Sequence, residues 1–445
     1  MKNILQNRVK PTLACLLAAM LAGCAPAPAG GAPAPQTAET SPAAQTEAEA
    51  ETAPPLQRLT SADETGYVQC KAITDADGQF WGQLWVTDFS TGRCAVPCPV
   101  EGCPHTTADC PGVLPWLYSG EVLILNEDTL LYTGSEQFCV SGRNGEDFRT
   151  LLPVYSPAPA LYTDGRYLYL LNQLVYPRDT PVYQLLQVDP ATGSSTVLGS
   201  CRGDLADLYA AGRTLVVTLY GYDPYAASTS SSVTLQQRIA WDLDTGAQRT
   251  LEGPVFDTET AVGCGMVGDT VYAFDPESRV LTSYGLLDGV RRLQSDPFPA
   301  PVYEAPADEN LSAVRRLGDW LELEYSCFSR DRSEQTSFSY LVELKTGQVR
   351  RKPDLPELVW NGYGHQPTVY AQLEDRLLVD CRAEPYDYVE YGQDGAPYTI
   401  HSDRRYLGLI TYEDYLSGTP DYTMLESDLS RGDYPGVIHF SFLSF

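Results

Sequence analysis

Four potential metal ligands lie within one short stretch of the chain: Cys98, Cys103, His105 and Cys110. Three thiolates and one imidazole form a complete tetrahedral set for Zn²⁺ and leave no coordination position for a substrate. Prolines interrupt the stretch, so a local loop can bring the four side chains together without help from distant segments. The sequence therefore predicts a structural zinc site here.

Disulfide bonds are the competing interpretation of the same cysteines. Cys94 lies just upstream of the cluster, and an exported protein can form disulfides. Ten cysteines remain if Cys15 is removed with a leader and Cys24 is modified, which is an even number. Four others are scattered singly in strand-like segments and read as buried apolar residues: Cys201, Cys264, Cys327 and Cys381. Metal and disulfide both stay open at this point.

No catalytic motif stands out. The run Gly263–Gly268 matches G-x-G-x-x-G, but a strand-like segment follows it, and nucleotide binding requires a helix N-terminus there. We interpret it as a turn. His365, His401 and His439 are far apart and have no nucleophile pattern beside them. The sequence thus predicts no catalytic residue.

The N-terminus has the features of an export signal. Basic residues precede a short apolar run that is well below the ~20 residues of a membrane-spanning helix. The run ends in Leu21-Ala22-Gly23-Cys24, which resembles the bacterial lipobox. Residues 1–23 are therefore predicted to be a lipoprotein signal peptide and Cys24 the lipidated residue. An ordinary secretory signal with a chance cysteine is the alternative.

Residues 24–57 are rich in Ala, Pro, Thr and Glu and almost devoid of large apolar side chains, which predicts a disordered tether. The whole chain has a formal net charge of −28, so an anionic lipid surface or a nucleic acid would repel it. We expect contact with the membrane only through the lipid anchor, and no nucleic-acid partner.

A five-residue turn pattern recurs along residues 58–445. An acid opens it, Thr or Ser stands fourth and glycine closes it, at 88–92, 189–193, 242–246, 343–347 and 414–418. The acid and hydroxyl can bond the turn backbone, and the glycine accepts a positive φ. Each is predicted to be a hairpin turn.

The first four turns are spaced by 53 or 101 residues, about one or two times the length of a four-stranded propeller blade, and only the last step is of a different length. Weaker turns at 143–145 and 287–289 fill the gaps. The sequence predicts an all-β fold, a β-propeller with seven four-stranded blades, with an insertion near Tyr386 to Tyr398. Six or eight blades, or two β-sandwiches, are the alternatives. Residues 437–443 are a candidate strand for closing the ring.

With these features in view, the mature chain resembles bacterial lipoproteins that carry an extracytoplasmic β-propeller. The resemblance implies a location, the extracytoplasmic face of the cell membrane, and an architecture. It does not imply an activity, because the propeller motifs are generic.

Aromatic residues in expected loops are the candidate ligand-binding residues: Trp116, Trp360, Tyr386, Tyr388 and Tyr391. Their flat faces with a polar edge suit sugars and peptides. The favoured function is a non-enzymatic module that binds a glycan, peptide or protein. The alternative is an extracellular polysaccharide hydrolase or lyase, which would need paired carboxylates in the central funnel of the propeller.

Overall fold

The computed structural model describes residues 53–429, apart from 75–79, 116–120, 135–136, 155–159, 175–179, 223–232, 252–261, 305, 307, 361–362 and 392–396. Cys24, Trp116 and the predicted closing strand 437–443 lie outside the described residues. No helix in the described part of the chain is long and apolar enough to span a membrane.

Antiparallel strands account for nearly all of the described secondary structure. The first is β1 (Gln57–Arg58). Blade 1 contains β2 (Gly66–Thr74), β3 (Phe80–Asp88), β4 (Cys94–Ala95) and β5 (Val113–Pro115). Blade 2 contains β6 (Val122–Ile124), β7 (Thr129–Thr133), β8 (Gln137–Gly142) and β9 (Arg149–Pro153). Blade 3 contains β10 (Tyr162–Thr163), β11 (Leu168–Leu174), β12 (Val182–Val188) and β13 (Ser195–Arg202). Blade 4 contains β14 (Leu205–Ala211), β15 (Thr214–Tyr222), β16 (Val233–Asp242) and β17 (Gln248–Thr250).

The remaining blades follow in chain order. Blade 5 contains β18 (Val262–Val267), β19 (Thr270–Asp275), β20 (Val280–Gly285) and β21 (Arg291–Gln294). Blade 6 contains β22 (Asp308–Leu317), β23 (Trp320–Phe328), β24 (Gln335–Glu343) and β25 (Val349–Arg351). A separate hairpin, β26 (Leu358–Trp360) and β27 (Tyr363–His365), comes next. Blade 7 contains β28 (Val369–Gln372), β29 (Arg376–Tyr391), β30 (Pro397–Thr411), the helix α1 (Tyr412–Ser417) and β31 (Thr423–Leu429).

Seven blades close into a ring through seven separate apolar clusters. In the described residues each cluster joins two consecutive blades, and one joins blade 7 to blade 1 through Leu378 and Leu407 on one side and Tyr67 and Phe89 on the other. Burial of such side chains contributes roughly 25 cal/mol per Å². The predicted seven-bladed β-propeller is therefore confirmed.

The cluster between blades 5 and 6 shows how this packing works. Phe298, in the connection between β21 and β22, is buried edge-to-face against Phe274 of blade 5 at 5.6 Å and Tyr340 of blade 6 at 5.1 Å between ring centroids. Edge-to-face contacts suit the charge distribution of aromatic rings. One aromatic side chain thus joins the facing sheets of two blades.

The predicted turns at 189–193, 242–246 and 343–347 connect the last two strands of their blades, and the turn at 88–92 connects β3 to β4. Asp242 illustrates the chemistry: its carboxylate accepts from the backbone amides of Asp244 at 3.0 Å and Thr245 at 2.9 Å, and Gly246 has a φ of 69°. The same bonds hold the pKa of Asp242 below its usual value. Local hydrogen bonding therefore fixes these turns.

One predicted turn is wrong. The run from Asp414 to Gly418 belongs to α1, which connects β30 to β31. The hydroxyl of Thr411 accepts from the Asp414 amide at 3.1 Å and so caps the helix, and Gly418 ends it with a φ of 73°. An acid, a hydroxyl residue and a glycine at this spacing can also form a short helix when a threonine before them caps its N-terminus and the glycine ends it.

The segment from Leu56 to Thr60 is hydrogen-bonded to three blades. The amide of Leu56 donates to Gly212 of blade 4 at 2.9 Å, β1 pairs with β10 of blade 3, and the amide of Ile124 in blade 2 donates to Thr60 at 2.8 Å. The end of the predicted tether is thus bonded to the propeller. We call this segment the inner strap.

Candidate metal centre

The four predicted metal ligands lie in a loop at the outer edge of blade 1. β4 and β5 both pair with the same edge of β3, at Thr87↔Cys94 and at Gly82↔Leu114, and the loop between them carries the ligands. Since β3 fixes both ends, only the interior of the loop remains to be ordered. This loop, residues 96–112, is called the metal loop below.

The metal loop brings together the side chains of Cys98, Cys103, His105 and Cys110. Their ligand atoms all lie within 4.8 Å of one another, and Nδ1 of His105 is 3.3 Å from Sγ of Cys110. An ion at the usual ~2.3 Å from sulfur and ~2.0 Å from nitrogen fits a set of this size. The cluster can therefore hold a metal ion, and four protein ligands make it a closed site.

The backbone at His105 is held in an unusual conformation. Its φ is 55°, in the left-handed region that non-glycine residues seldom occupy. The side-chain amide of Gln83 in β3 donates to the His105 carbonyl at 2.7 Å, and the indole of Trp85 donates to Gln83 Oε1 at 2.8 Å. These bonds fix the peptide that carries the imidazole. Sequence reasoning did not find Gln83, since no motif links it to the ligands.

The loop also depends on a close backbone approach at Gly112. A Cβ at this position would collide with Cγ1 of Val96, where the outgoing and returning arms of the loop pass each other. The Gly112 carbonyl accepts from the Leu84 amide of β3 at 2.8 Å. Glycine is required because any side chain would push the two arms apart.

The thiols of the cluster differ in their electrostatic environments. Burial raises the pKa of Cys110 to about 12, and its side chain is only 2% exposed. A hydrogen bond from the His105 backbone amide lowers the pKa of Cys103. A divalent cation would offset the desolvation at Cys110 and convert it to the thiolate that binds metals, with release of a proton.

The thiols of Cys98, Cys103 and Cys110 form no disulfide in the structure. Cys94 lies in β4 opposite Thr87 and outside the cluster. Three of the scattered cysteines are buried as predicted, and Cys381 is half-buried. The three thiols and the imidazole are thus placed so that they could hold a metal ion.

The predicted aromatic binding residues lie elsewhere in the fold. Tyr386, Tyr388 and Tyr391 are in β29 and Trp360 is in β26, so the prediction that they lie in loops is wrong for these four. The predicted insertion is a long extension of β29 and β30, which pair from Arg382↔Tyr406 to Tyr391↔Pro397. We call this extension the blade 7 ribbon. A continuous strand pair satisfies the backbone bonds that a loop would leave to water.

The glycine run 263–268 is predicted to be a turn, but residues 263–267 belong to β18 and only Gly268 lies in the turn into β19. Gly268 has a φ of 60° and no helix follows it. The segment therefore lacks the helix N-terminus that would bind a phosphate.

Two acids that sequence reasoning missed, Glu121 and Asp207, lie near the inner strap. Arg58 of the inner strap is close enough to lower the pKa of both Glu121, which precedes β6, and Asp207 of β14. Burial has the larger effect and raises the pKa of Glu121 to about 7 and that of Asp207 to about 6. No sequence signal could have found them, because the three residues come from separate repeats.

Comparisons with known proteins give little beyond architecture. The chain matches no protein-family model and no curated protein. Among solved structures it is similar to the β-propeller domain of the Trilobed protease from Pyrococcus furiosus, with 8% identity, a TM-score of 0.43 and coverage of 82% of this chain and 98% of that chain. It is also similar to an oligogalacturonate lyase from Vibrio parahaemolyticus, with 12% identity, a TM-score of 0.39 and coverage of 78% and 96%. A third similar structure is the WD40 domain of SCAP from fission yeast, with 8% identity, a TM-score of 0.37 and coverage of 83% and 85%. Likenesses this weak carry no functional argument.

Proposed function

We propose that this protein is an extracytoplasmic lipoprotein, anchored in the cell membrane through Cys24, whose propeller is a non-enzymatic binding module for a glycan, peptide or protein. The blade 7 ribbon is the observation that carries the binding role. It is a feature that ring closure does not require, since β28 and β31 pair with blade 7 only as far as Val379 and Arg405.

The ribbon has two properties of a binding element. Beyond Val379 and Arg405, β29 and β30 bond only to each other among the described strands, so their outer edges offer backbone donors and acceptors to an extended ligand. Tyr386, Tyr388 and Tyr391 stand at short intervals along β29. Tyrosine supplies a rigid ring and a hydroxyl at low entropic cost, which suits sugars and peptides.

Glycan and peptide arrays probed with residues 53–445 test this role. The triple variant Tyr386→Ala, Tyr388→Ala, Tyr391→Ala should lose the signal, whereas the matched triple Tyr→Phe variant should keep most of it because the rings remain. Equal melting temperatures would show that both variants are folded. Binding that survives the alanine variant would exclude the ribbon as the binding element.

We further propose that the ion at the metal loop is a structural Zn²⁺. The donor set of three sulfurs and one nitrogen suits zinc, and the set is closed. The ion would hold the outer edge of blade 1 by tying the two arms that leave β3. This role is independent of ligand binding at blade 7.

A second candidate function, hydrolysis or elimination on an extracellular polysaccharide, is favoured by one observation. The pKa of Glu121 is about 7, which is suited to general acid catalysis near neutral pH, and Asp207 shares Arg58 with it. Incubation with acidic and neutral polysaccharides tests it by reducing-end release and by the ultraviolet absorbance of unsaturated products. Activity that disappears in Glu121→Gln would support it, and absence of turnover would exclude it for those substrates.

A further inference from the structure

We propose that the outer edge of β30 in the blade 7 ribbon binds an extended basic peptide, one rich in lysine or arginine, as an added strand. The proposal rests on the proposed binding role of the ribbon, and it names the edge and the ligand class. It requires neither the lipid anchor nor the metal.

The backbone of β29 alternates in a way that fixes its outer edge. The amide of Asp380 donates to the carbonyl of Thr368 at 3.2 Å, so Asp380 directs its backbone groups towards the β28 side of the sheet. A register shift between Asp380 and Arg382 inserts one residue and reverses the alternation, so the odd-numbered residues beyond it face away from β30. Pro385 fits this assignment, because a proline inside a sheet has its nitrogen at an open edge. It also interrupts the outer edge of β29 for any added strand.

The outer edge of β30 has no such interruption. Thr399, His401 and Asp403 lie opposite outward-facing residues of β29, so in an antiparallel pair they also face outward. None of them is proline, and together they offer amide donors and carbonyl acceptors over about 14 Å. β31 pairs with this edge only as far as Leu429, opposite Arg405. Beyond Leu429 the edge is therefore unpaired among the described strands.

The paired strands of the ribbon are acidic from residue 385 onwards. Residues 385–391 and 397–403 contain Asp387, Glu390 and Asp403 and no lysine or arginine. Opposite charges on neighbouring strands stabilise their pairing, and like charges destabilise it. A strand with basic side chains therefore complements this edge, and the net charge of −28 on the whole chain favours its approach.

Tyrosines share one face of the ribbon. The register pairs Tyr388 with Ile400 and Glu390 with Tyr398. Because residues alternate between the two faces of a strand, Tyr386, Tyr388 and Tyr398 belong to the same face. Aromatic rings attract the cationic side chains of lysine and arginine. The aromatic composition of this face and the charge of the edge thus favour the same ligand.

Other occupants of the edge fit less well. A second copy of the chain would bring the same acids against Asp387 and Asp403, and like charges on paired strands repel. An acidic peptide meets the same repulsion. A glycan lacks the regular series of amides and carbonyls with which a peptide bonds to an open strand edge.

Calorimetric titration of residues 53–445 tests the proposal with three octapeptides. The first alternates threonine and lysine, the second has glutamine in place of lysine, and the third is the lysine peptide with every backbone nitrogen methylated. The lysine peptide should bind at least about tenfold more tightly than the others, because one lacks the charges and the other lacks the amide donors. A lysine peptide that does not bind, or binds no better than one of the others, would overturn the proposal.

Two proline substitutions locate the edge. Thr399 and Val389 lie opposite each other and both face outward, so proline at either position leaves the bonds between β29 and β30 in place. Thr399→Pro should weaken binding of the lysine peptide by about tenfold or more, because it removes a donor of the β30 edge. Val389→Pro, the matched control on β29, should have no effect. Equal melting temperatures would show that both variants are folded. Equal effects of the two, or a loss in Val389→Pro alone, would contradict the assignment to β30.

A charge variant tests the ligand class without altering the backbone. Asp387→Asn combined with Asp403→Asn should weaken binding of the lysine peptide by about tenfold or more. The control is Glu127→Gln combined with Glu146→Gln, which removes two exposed acids of blade 2 and changes the net charge equally. If the control weakens binding as much, the peptide responds only to the overall charge and the proposal fails.

Two further outcomes separate this proposal from its alternatives. Binding of the lysine peptide that appears only after residues 430–445 are deleted would assign the edge to the chain's own C-terminal segment and overturn the proposal. Array binding that requires the ribbon tyrosines while the lysine peptide does not bind would refute this ligand class and leave the proposed function intact.

Discussion

The side-chain amide of Gln83 donates a 2.7 Å hydrogen bond to the carbonyl oxygen of His105, and so links the middle strand of blade 1 to a ligand of the metal loop. His105 adopts a left-handed backbone conformation that needs support from its surroundings. The bond supplies this support from β3, the same strand that holds both ends of the loop. Blade 1 therefore positions the metal ligands as well as connecting them.

Gln83→Leu should weaken metal binding by about tenfold to a hundredfold, which is the usual effect of removing a group that orients a ligand. The propeller should stay folded, because leucine preserves the volume. Competition with a chromophoric chelator measures the affinity. Gln187→Leu, the same change in a middle strand of blade 3, is the control, and equal affinities of the two variants would show that the Gln83 bond does not position His105.

Metal analysis of the purified protein should find about one zinc per chain. A strong chelator should remove it and make Cys98, Cys103 and Cys110 open to alkylation without a reductant. His105→Ala should lower zinc affinity while the other blades remain folded, since each repeat packs mainly against its neighbours. Metal-free protein whose three thiols react only after reduction would instead establish disulfides.

Cys24→Ala should release the protein from membranes and block signal removal at that position, because only this thiol is placed to take the lipid. Partitioning between detergent and aqueous phases measures the anchor, and the mass of the mature chain shows the cleavage site. Cys15→Ala, a change within the same predicted signal peptide, should leave both unchanged. A Cys24 variant that partitions like the unaltered protein would refute the lipoprotein proposal.

The features predicted correctly from sequence are those in which nearby residues determine the structure. The turn at Asp242 follows from bonds spanning three residues, and the metal ligands lie within one loop. The failures have two different causes. The helix at Asp414 is also a local structure, but its cap, Thr411, lies outside the five-residue pattern. Arg58 comes near Glu121 and Asp207 only after three repeats have folded. The spacing of residues along the sequence does not indicate which distant residues become neighbours in the fold.

Glu121→Gln should stabilise the protein increasingly as the pH rises from about 4.5 to about 7. Burial raises the pKa of Glu121 from its usual value near 4.5 to about 7, so between these values the folded state binds more protons than the unfolded state. Rising pH therefore removes stability from the unaltered protein at this position, and glutamine does not titrate. Melting temperatures of both proteins at pH 5 and pH 8 measure the effect. Asp207, Arg58 and Tyr162 are present in both, so the difference isolates Glu121. A difference that does not grow with pH would show that Glu121 ionises at its usual pKa.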